Sequence, residues 1–291
     1  MLCVGTSLCV AQDNAAEPAL DSPLEPQELF VKMAQANASQ AYAGSLAFER
    51  AGQLATYRVE NQIEVVGDQR LESLNRLLPA QIRSSFCTRS QLGSAENLAA
   101  LSSLYNFYRP GETVVAGREA IELLMLPVDA NRYGYGFSVD AETYLPLRTV
   151  VLTPQRVPVE RYEYVDIEFL DLPAATPECT VEPTDAQQAS WSANTLPSGF
   201  YVTHSKYLRD LDKSMMVVSD GLATISISIE PVEAPKFPPV TTRLGATNIL
   251  LSYLLNFQRS TYLATLVGEV PLQSLELIAS GLGPAPISSD D

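Results

Sequence analysis

The apolar residues of this chain change their period once, near residue 40, and that change limits the fold more than any other feature. Before it, Leu29, Phe30, Met33 and Ala36 fall at helical spacing behind Glu25-Pro26-Gln27-Glu28, predicting one amphipathic helix to about Ser39. After it the period is 2. Tyr42, Gly44, Leu46 and Phe48 alternate, Arg50-Ala51-Gly52-Gln53 reads as a hairpin turn, and Ala55, Tyr57 and Val59 oppose Leu54, Thr56, Arg58 and Glu60 on the next strand. Further strands are expected at 62–66, 68–74, 80–87, 103–108, 112–116, 119–127, 133–139, 147–154 and 159–170. In the last, Val159, Arg161, Glu163, Val165 and Ile167 face one side and Tyr162, Tyr164, Asp166 and Glu168 the other. Turn signals at Gly67-Asp68, Arg109-Pro110-Gly111, Asp129-Ala130-Asn131 and Asp140-Ala141-Glu142 keep the connections short. Such a run is an antiparallel sheet, and the single helix is expected to cover it.

Residues 88–102 interrupt the strands as a short helix or a flap. Residues 171–190, rich in Pro, Ala, Thr and acids, read as an interdomain linker. A second unit begins at Trp191, with strands expected at 199–205, 214–219, 222–230, 246–256 and 261–268. Ser219-Asp220-Gly221 forms a hairpin turn, Pro231 to Pro239 a proline-rich loop, and Pro271 opens a last helix. The resulting division is a leader at 1–24, a first domain at 25–170, the linker at 171–190, a second domain at 191–282 and a polar tail at 283–291.

Hydrophobic residues make up 46% of the 291 and charged residues 18%, so both domains can build a core. The 34 acidic and 19 basic residues leave a formal charge of −15, which repels phosphates and argues against nucleic acid as a partner. The most apolar segment, Leu244 to Phe257, is too short to cross a bilayer as a helix. The opening MLCVGTSLCVAQDNA has the apolar run and small-residue end of a secretory signal, with Ala11 at the expected cleavage point but no Lys or Arg before Lys32. A start codon further upstream is the expectation. Once such a signal is removed, Cys87 and Cys179 remain of the four cysteines. They form one disulfide in an oxidising compartment or stay two separate buried thiols, and spacing alone does not choose.

Chemistry has few places to sit. His204 is the single histidine, so no multi-histidine metal site exists. It stands beside Ser205 on a strand, which invites a hydrolase reading, but its plain role is an exposed or half-buried strand residue. Leu196-Pro197-Ser198-Gly199 lacks the glycine pair of a nucleophile elbow. Gly134 and Gly136 lie on a strand with no helix after it, so they make no phosphate loop. Asp166 and Glu168 read as a solvated face. The aromatic residues of the first domain, among them Phe30, Phe48, Phe86, Tyr105 and Phe107, are core residues first. They are also the candidates to line an apolar hollow between helix and curved sheet. No catalytic residue, metal or cofactor is predicted.

Several stretches together resemble the sigma-E regulators of the RseB/MucB family. They are Tyr42-Ala43-Gly44-Ser45-Leu46-Ala47-Phe48; Gly52-Gln53-Leu54-Ala55-Thr56-Tyr57-Arg58; Glu72-Ser73-Leu74; and Arg83. The strongest is Tyr133-Gly134-Tyr135-Gly136-Phe137-Ser138-Val139-Asp140 with Leu145-Pro146-Leu147-Arg148. In the second domain they are Trp191, Leu196-Pro197-Ser198-Gly199-Phe200, Ser219-Asp220-Gly221-Leu222 and Gly268-Glu269-Val270-Pro271. The resemblance covers about residues 26–282. It implies an α+β protein: an N-terminal unclosed antiparallel β-barrel with a covering helix, similar to the lipoprotein carriers LolA and LolB, and a smaller C-terminal α/β module. It further implies a periplasmic, non-enzymatic negative regulator. The expected partner is the periplasmic domain of a transmembrane anti-sigma factor (RseA/MucA-like), shielded from proteolysis and released by lipid or lipopolysaccharide fragments; self-association into a homo-oligomer is a further expectation. The competing readings are a lipoprotein or lipid carrier and, from another class, a secreted hydrolase using His204.

Overall fold

The computed structural model describes residues 24–61, 63–66, 69–72, 95–171, 191–233, 240–257 and 260–285. Helix α1 (Pro26–Ser39) starts with proline at its first turn, where a missing N–H removes no helical bond. Its buried face carries Leu29, Phe30, Met33 and Ala34. Strands β1 (Tyr42–Arg50), β2 (Gln53–Asn61), β5 (Tyr105–Tyr108), β6 (Glu112–Val115), β7 (Arg118–Pro127), β8 (Gly134–Asp140), β9 (Pro146–Leu152) and β10 (Pro158–Phe169) form one eight-stranded sheet. Its order is β2-β1-β10-β9-β8-β7-β5, with β6 also on β7, so among the described residues the sheet is unclosed. A hairpin of β3 (Ile63–Val66) and β4 (Gln69–Glu72) forms a separate two-stranded sheet. Helix α2 (Ala95–Leu104) runs directly into β5, so the strand expected from residue 103 begins two residues later.

The inner face of the sheet buries Tyr42, Leu46, Phe48, Val59, Leu123, Met125, Tyr135, Phe137, Val139, Val151, Tyr162 and Tyr164. Both helices seal it: Leu29, Phe30 and Met33 from α1 and Leu101 and Leu104 from α2 join the same cluster. Burying an aromatic or large aliphatic side chain is worth about 1.5–3 kcal/mol, so this layer dominates the stability of the first lobe.

One expectation fails inside β10. Ser45 pairs with Asp166 but Leu46 pairs with Tyr164, so Val165 is an extra residue, a bulge, and points to solvent. Beyond it the alternation reverses: Ile167 and Phe169 are half-buried, while Asp166 and Glu168 face out, opposite to the side of Tyr162 and Tyr164. Gly44 permits this, because a Cβ there would lie 2.5 Å from the Asp166 carbonyl oxygen.

The second lobe is a six-stranded sheet in the order β12-β13-β14-β17-β16-β15. The strands are β12 (Tyr201–Leu208), β13 (Lys213–Ser219), β14 (Thr224–Val232), β15 (Val240–Leu244), β16 (Thr247–Phe257) and β17 (Ser260–Gly268). Every pairing in it is antiparallel, so the lobe is α+β and not the α/β module that the resemblance implies. Helix α3 (Leu272–Ser280) lies against β16 and β17, and its Leu275, Ile278 and Ala279 join Ile225, Ile227, Ile229 and Leu266 in the core of the lobe. β11 (Trp191–Ala193) and β18 (Leu282–Pro284) pair at its margin, where Trp191 meets Tyr262 edge-on at 4.9 Å.

Candidate functional site: the junction between the lobes

Among the described residues the two lobes meet along two buried polar seams. The first is built on the β7–β8 connection. Its centre is Arg132, whose side chain has no exposure. The guanidinium donates to Asp220 Oδ2 at 2.8 Å, to Asp129 Oδ1 and Oδ2 at 3.2 and 3.1 Å, and to the Ser198 carbonyl. It also lies 5.1 Å from the Phe200 ring centre and 5.8 Å from that of Tyr105. The planar guanidinium suits this position because one rigid fork can serve two carboxylates and a carbonyl. Asp220 is held in place by its own turn, accepting the N–H groups of Leu222 at 2.9 Å and Ala223 at 2.7 Å. Burial pushes its carboxyl above the ordinary 3.8, although the Ala223 and Leu222 N–H groups and the Arg132 charge pull the other way.

Helix α3 closes the same seam. Gln273 donates to the Ala130 carbonyl at 2.6 Å and Ser274 to that of Asn131 at 2.7 Å. Asn248 donates to Tyr133 Oη at 2.8 Å and to the Val270 carbonyl at 2.7 Å. Burial raises the Tyr133 hydroxyl, with the Asn248 bond lowering it. The Tyr105 hydroxyl is buried without a hydrogen-bond partner, and burial, then the Asp220 charge, raises it well above its ordinary value.

The second seam is Glu160 on β10, also without side-chain exposure. Its Oε1 accepts from Arg50 Nε at 2.7 Å and from the Ala246 N–H at 3.0 Å, and Oε2 accepts from the Tyr162 hydroxyl at 2.8 Å. Ala246 belongs to the β15–β16 turn of the second lobe, yet it is buried in the core of the first. Gly245 makes that approach possible. Its φ is +61°, and a Cβ there would overlap Glu160.

Beside this seam, on the outer face of the first sheet, lies an open groove of about 660 Å³. The first lobe contributes Glu49, Glu122, Arg148, Val150 and Val159, and the second contributes Arg243 and Gly245. A smaller hollow of about 440 Å³ continues from it over Ala47, Leu54, Tyr164 and Val165, the two sharing Glu49 and Arg161. Arg148 is oriented by Ser138 at 2.9 Å and Glu122 at 3.0 Å. The strand ending in Asp140 is locked by Arg118, by the Thr143 hydroxyl at 2.9 Å and by the Thr143 N–H at 2.8 Å.

Of the residues singled out from the sequence, Phe30, Phe48, Tyr105 and Phe107 come together in the inner core, where Phe30 meets Phe107 edge-on at 5.5 Å. Phe86, Cys87 and Cys179 lie outside the described residues. His204 is half-buried on β12, and the buried Ser205 hydroxyl beside it has no hydrogen-bond partner, so the two are not coupled. Among the described residues no group of three or more His, Cys, Asp or Glu side chains is placed to hold a metal, and no helix is long and apolar enough to cross a membrane. Sequence reasoning missed Arg132, Glu160 and Asp220. The only signal was the turn at Asp220-Gly221.

Two antiparallel lobes sewn by the buried Arg132–Asp220 ion pair and by the Ala246 N–H bond to Glu160, with an open groove fed by both, define a two-domain binding protein. The chain belongs to the MucB/RseB family: residues 73–192 match the family's N-terminal domain and residues 185–283 its C-terminal domain. The sigma factor AlgU regulatory protein MucB of Pseudomonas aeruginosa is 28% identical, over 98% of this chain and 96% of that protein. The sigma-E factor regulatory proteins RseB of Haemophilus influenzae and Escherichia coli K12 are 27% and 25% identical, each over 62% of this chain and 60% of their own length. The fold is shared with a Pseudomonas aeruginosa MucA/MucB complex (TM-score 0.69, 23% identity, 91% of this chain and 100% of that one). It is shared as well with MucB in complex with MucA(peri) (0.69, 24%, 90% and 100%) and with MucB by itself (0.57, 24%, 89% and 98%).

Proposed function

We propose that this chain is a periplasmic negative regulator of a sigma-E-type sigma factor. It binds the periplasmic part of a transmembrane anti-sigma factor and shields it from proteolysis, by stoichiometric binding and without catalysis. The observation that carries the reading is a groove lined by both lobes in a chain matched to the MucB/RseB domains over residues 73–283. A partner laid across the junction touches both lobes at once, so its binding depends on how they are held.

Release follows from linkage: a lipid weakens the complex only if it binds the free regulator better than the complex. We assign its acyl chain to the layer of Phe30, Phe48, Tyr105 and Phe107, under α1, in a domain of the lipoprotein-carrier type. These four share one buried cluster with Leu29 and Met33 of α1, so an acyl chain seated among them displaces α1. Exposing Leu29, Phe30 and Met33 costs about 1.5–3 kcal/mol each, and each buried methylene contributes about 0.8 kcal/mol, so roughly six to eleven carbons offset it. Whether Cys87 and Cys179 form one disulfide in the oxidising periplasm or stay two separate thiols is read directly by a thiol assay on the unreduced, denatured protein.

A pull-down with the periplasmic segment of the cognate anti-sigma factor tests the proposal. Capture that falls when lipopolysaccharide fragments are added supports it. Failure to capture the segment in the absence of lipid refutes it.

A further inference from the structure

We infer that β15 is a strand-addition site, on which an extended segment of the anti-sigma partner pairs as a seventh strand of the second lobe's sheet. The inference rests on the proposed function and names how that partner is held.

A sheet edge offers unpaired N–H and C=O groups, and proteins that do not use an edge blunt it. The two edges of this sheet differ. Strand β12 is irregular, its register shifting between Val202 and His204. Strand β15 runs Val240 to Leu244 without a shift, contains no proline, and has all five residues exposed. Three of them, Val240, Thr241 and Thr242, are β-branched, the type that favours an extended backbone.

The register says which groups are free. Leu244 pairs with Thr247 across the two-residue Gly245-Ala246 turn, so that pair is hydrogen-bonded, and so is Thr242 with Ile249. The intervening residues, Thr241 and Arg243, turn their N–H and C=O groups away from β16. These are the groups a docking strand takes up.

Three observations choose the occupant. Arg243 and Gly245 border the groove, so a chain on this edge runs on into the junction of the two lobes. The adjoining turn is pinned, since Ala246 is buried in the other lobe and bonded to Glu160. The edge is therefore held in place before binding, which lowers the ordering cost. Arg243 has no carboxylate partner within ion-pair distance among the described residues, in a chain of formal charge −15. It selects a strand with an acidic side chain opposite it. A second copy of this chain fits less well, because a five-residue contact has little to offset the repulsion of two such charges.

The test is amide hydrogen exchange on the full chain, alone and with the partner's periplasmic segment. Binding is expected to slow exchange at Thr241 and Arg243 by about tenfold or more. In parallel, Thr241→Pro, which deletes one outward donor, should weaken binding about tenfold relative to Thr241→Val, which keeps it. Unchanged exchange in a formed complex, or equal affinity of the two variants, overturns strand addition and leaves the proposed function standing. Slow exchange at both amides in the chain alone, lost on dilution, overturns it in favour of self-pairing. No complex with the wild-type chain overturns both. The wild-type exchange measurement decides even if the proline variant does not fold.

Discussion

Arg132 and Asp220 meet at 2.8 Å with neither side chain exposed, although 88 positions separate them and each belongs to a different lobe. A buried pair of this kind locates two surfaces more than it stabilises them. Desolvating both charges offsets most of their attraction, whereas stranding one of them is expensive.

The first prediction follows from that asymmetry. Arg132→Met or Asp220→Ala each leaves the remaining charge buried and short of a partner, and each should lower unfolding stability by about 3–5 kcal/mol. The double variant should lose less than the sum of the two, because neither charge is then stranded. Urea unfolding of the three variants measures this.

Gly245 should tolerate alanine less well than Gly52. Both have positive φ, +61° and +75°, so both meet the backbone penalty of about 1 kcal/mol. At Gly52 nothing lies within 4 Å of an added Cβ, while at Gly245 it would overlap Glu160 and Arg50. Gly245→Ala should therefore cost an additional ~1–3 kcal/mol and weaken partner binding, and Gly52→Ala should leave binding unchanged. Thermal melts and partner titrations of the two variants separate these effects.

The acid side of the stability profile should carry two opposed contributions. At Asp140 burial raises the carboxyl, but bonds from Arg118, the Thr143 N–H and the Thr143 hydroxyl outweigh it and hold it below 3.8. Its contribution is present above that ordinary value and is lost as pH falls through the lower folded value. Asp220, raised by burial, acts in the opposite sense: the fold binds its proton more tightly, so stability declines as pH rises through its raised value. Asp140→Asn should flatten the loss below about pH 4, and Asp220→Asn should remove the decline above it. Unfolding midpoints measured against pH for both variants check the signs.

His204→Ala should change neither partner binding nor stability by more than about 0.5 kcal/mol, since the residue sits half-buried on an edge strand and its serine neighbour does not bond to it. A secreted hydrolase using this histidine would instead lose turnover, so an esterase assay of wild type and variant distinguishes the two.

Most of the strand framework was legible because alternation reports a half-buried sheet directly. Tyr42, Leu46 and Phe48 do point inward, as do Tyr57 and Val59, and α1 begins at the expected proline. Three features were hidden for physical reasons. The bulge at Val165 depends on Gly44 in another strand, so no pattern within β10 announces that Asp166 and Glu168 reverse sides. Strand β15 is exposed on both faces and carries no alternation. The buried charges Arg132, Glu160 and Asp220 look, in a sequence, like any surface charge, because what makes them special is a partner in the other lobe or far along the chain. The aromatic residues were legible as core.

The central claim is that the chain clasps an extended partner at the lobe junction. Its most direct measurement is a titration of the purified full chain with the periplasmic segment of its anti-sigma factor, followed by calorimetry. The account predicts saturable one-to-one binding that Arg243→Glu weakens. A flat titration, with no heat and no complex on sizing, would contradict it.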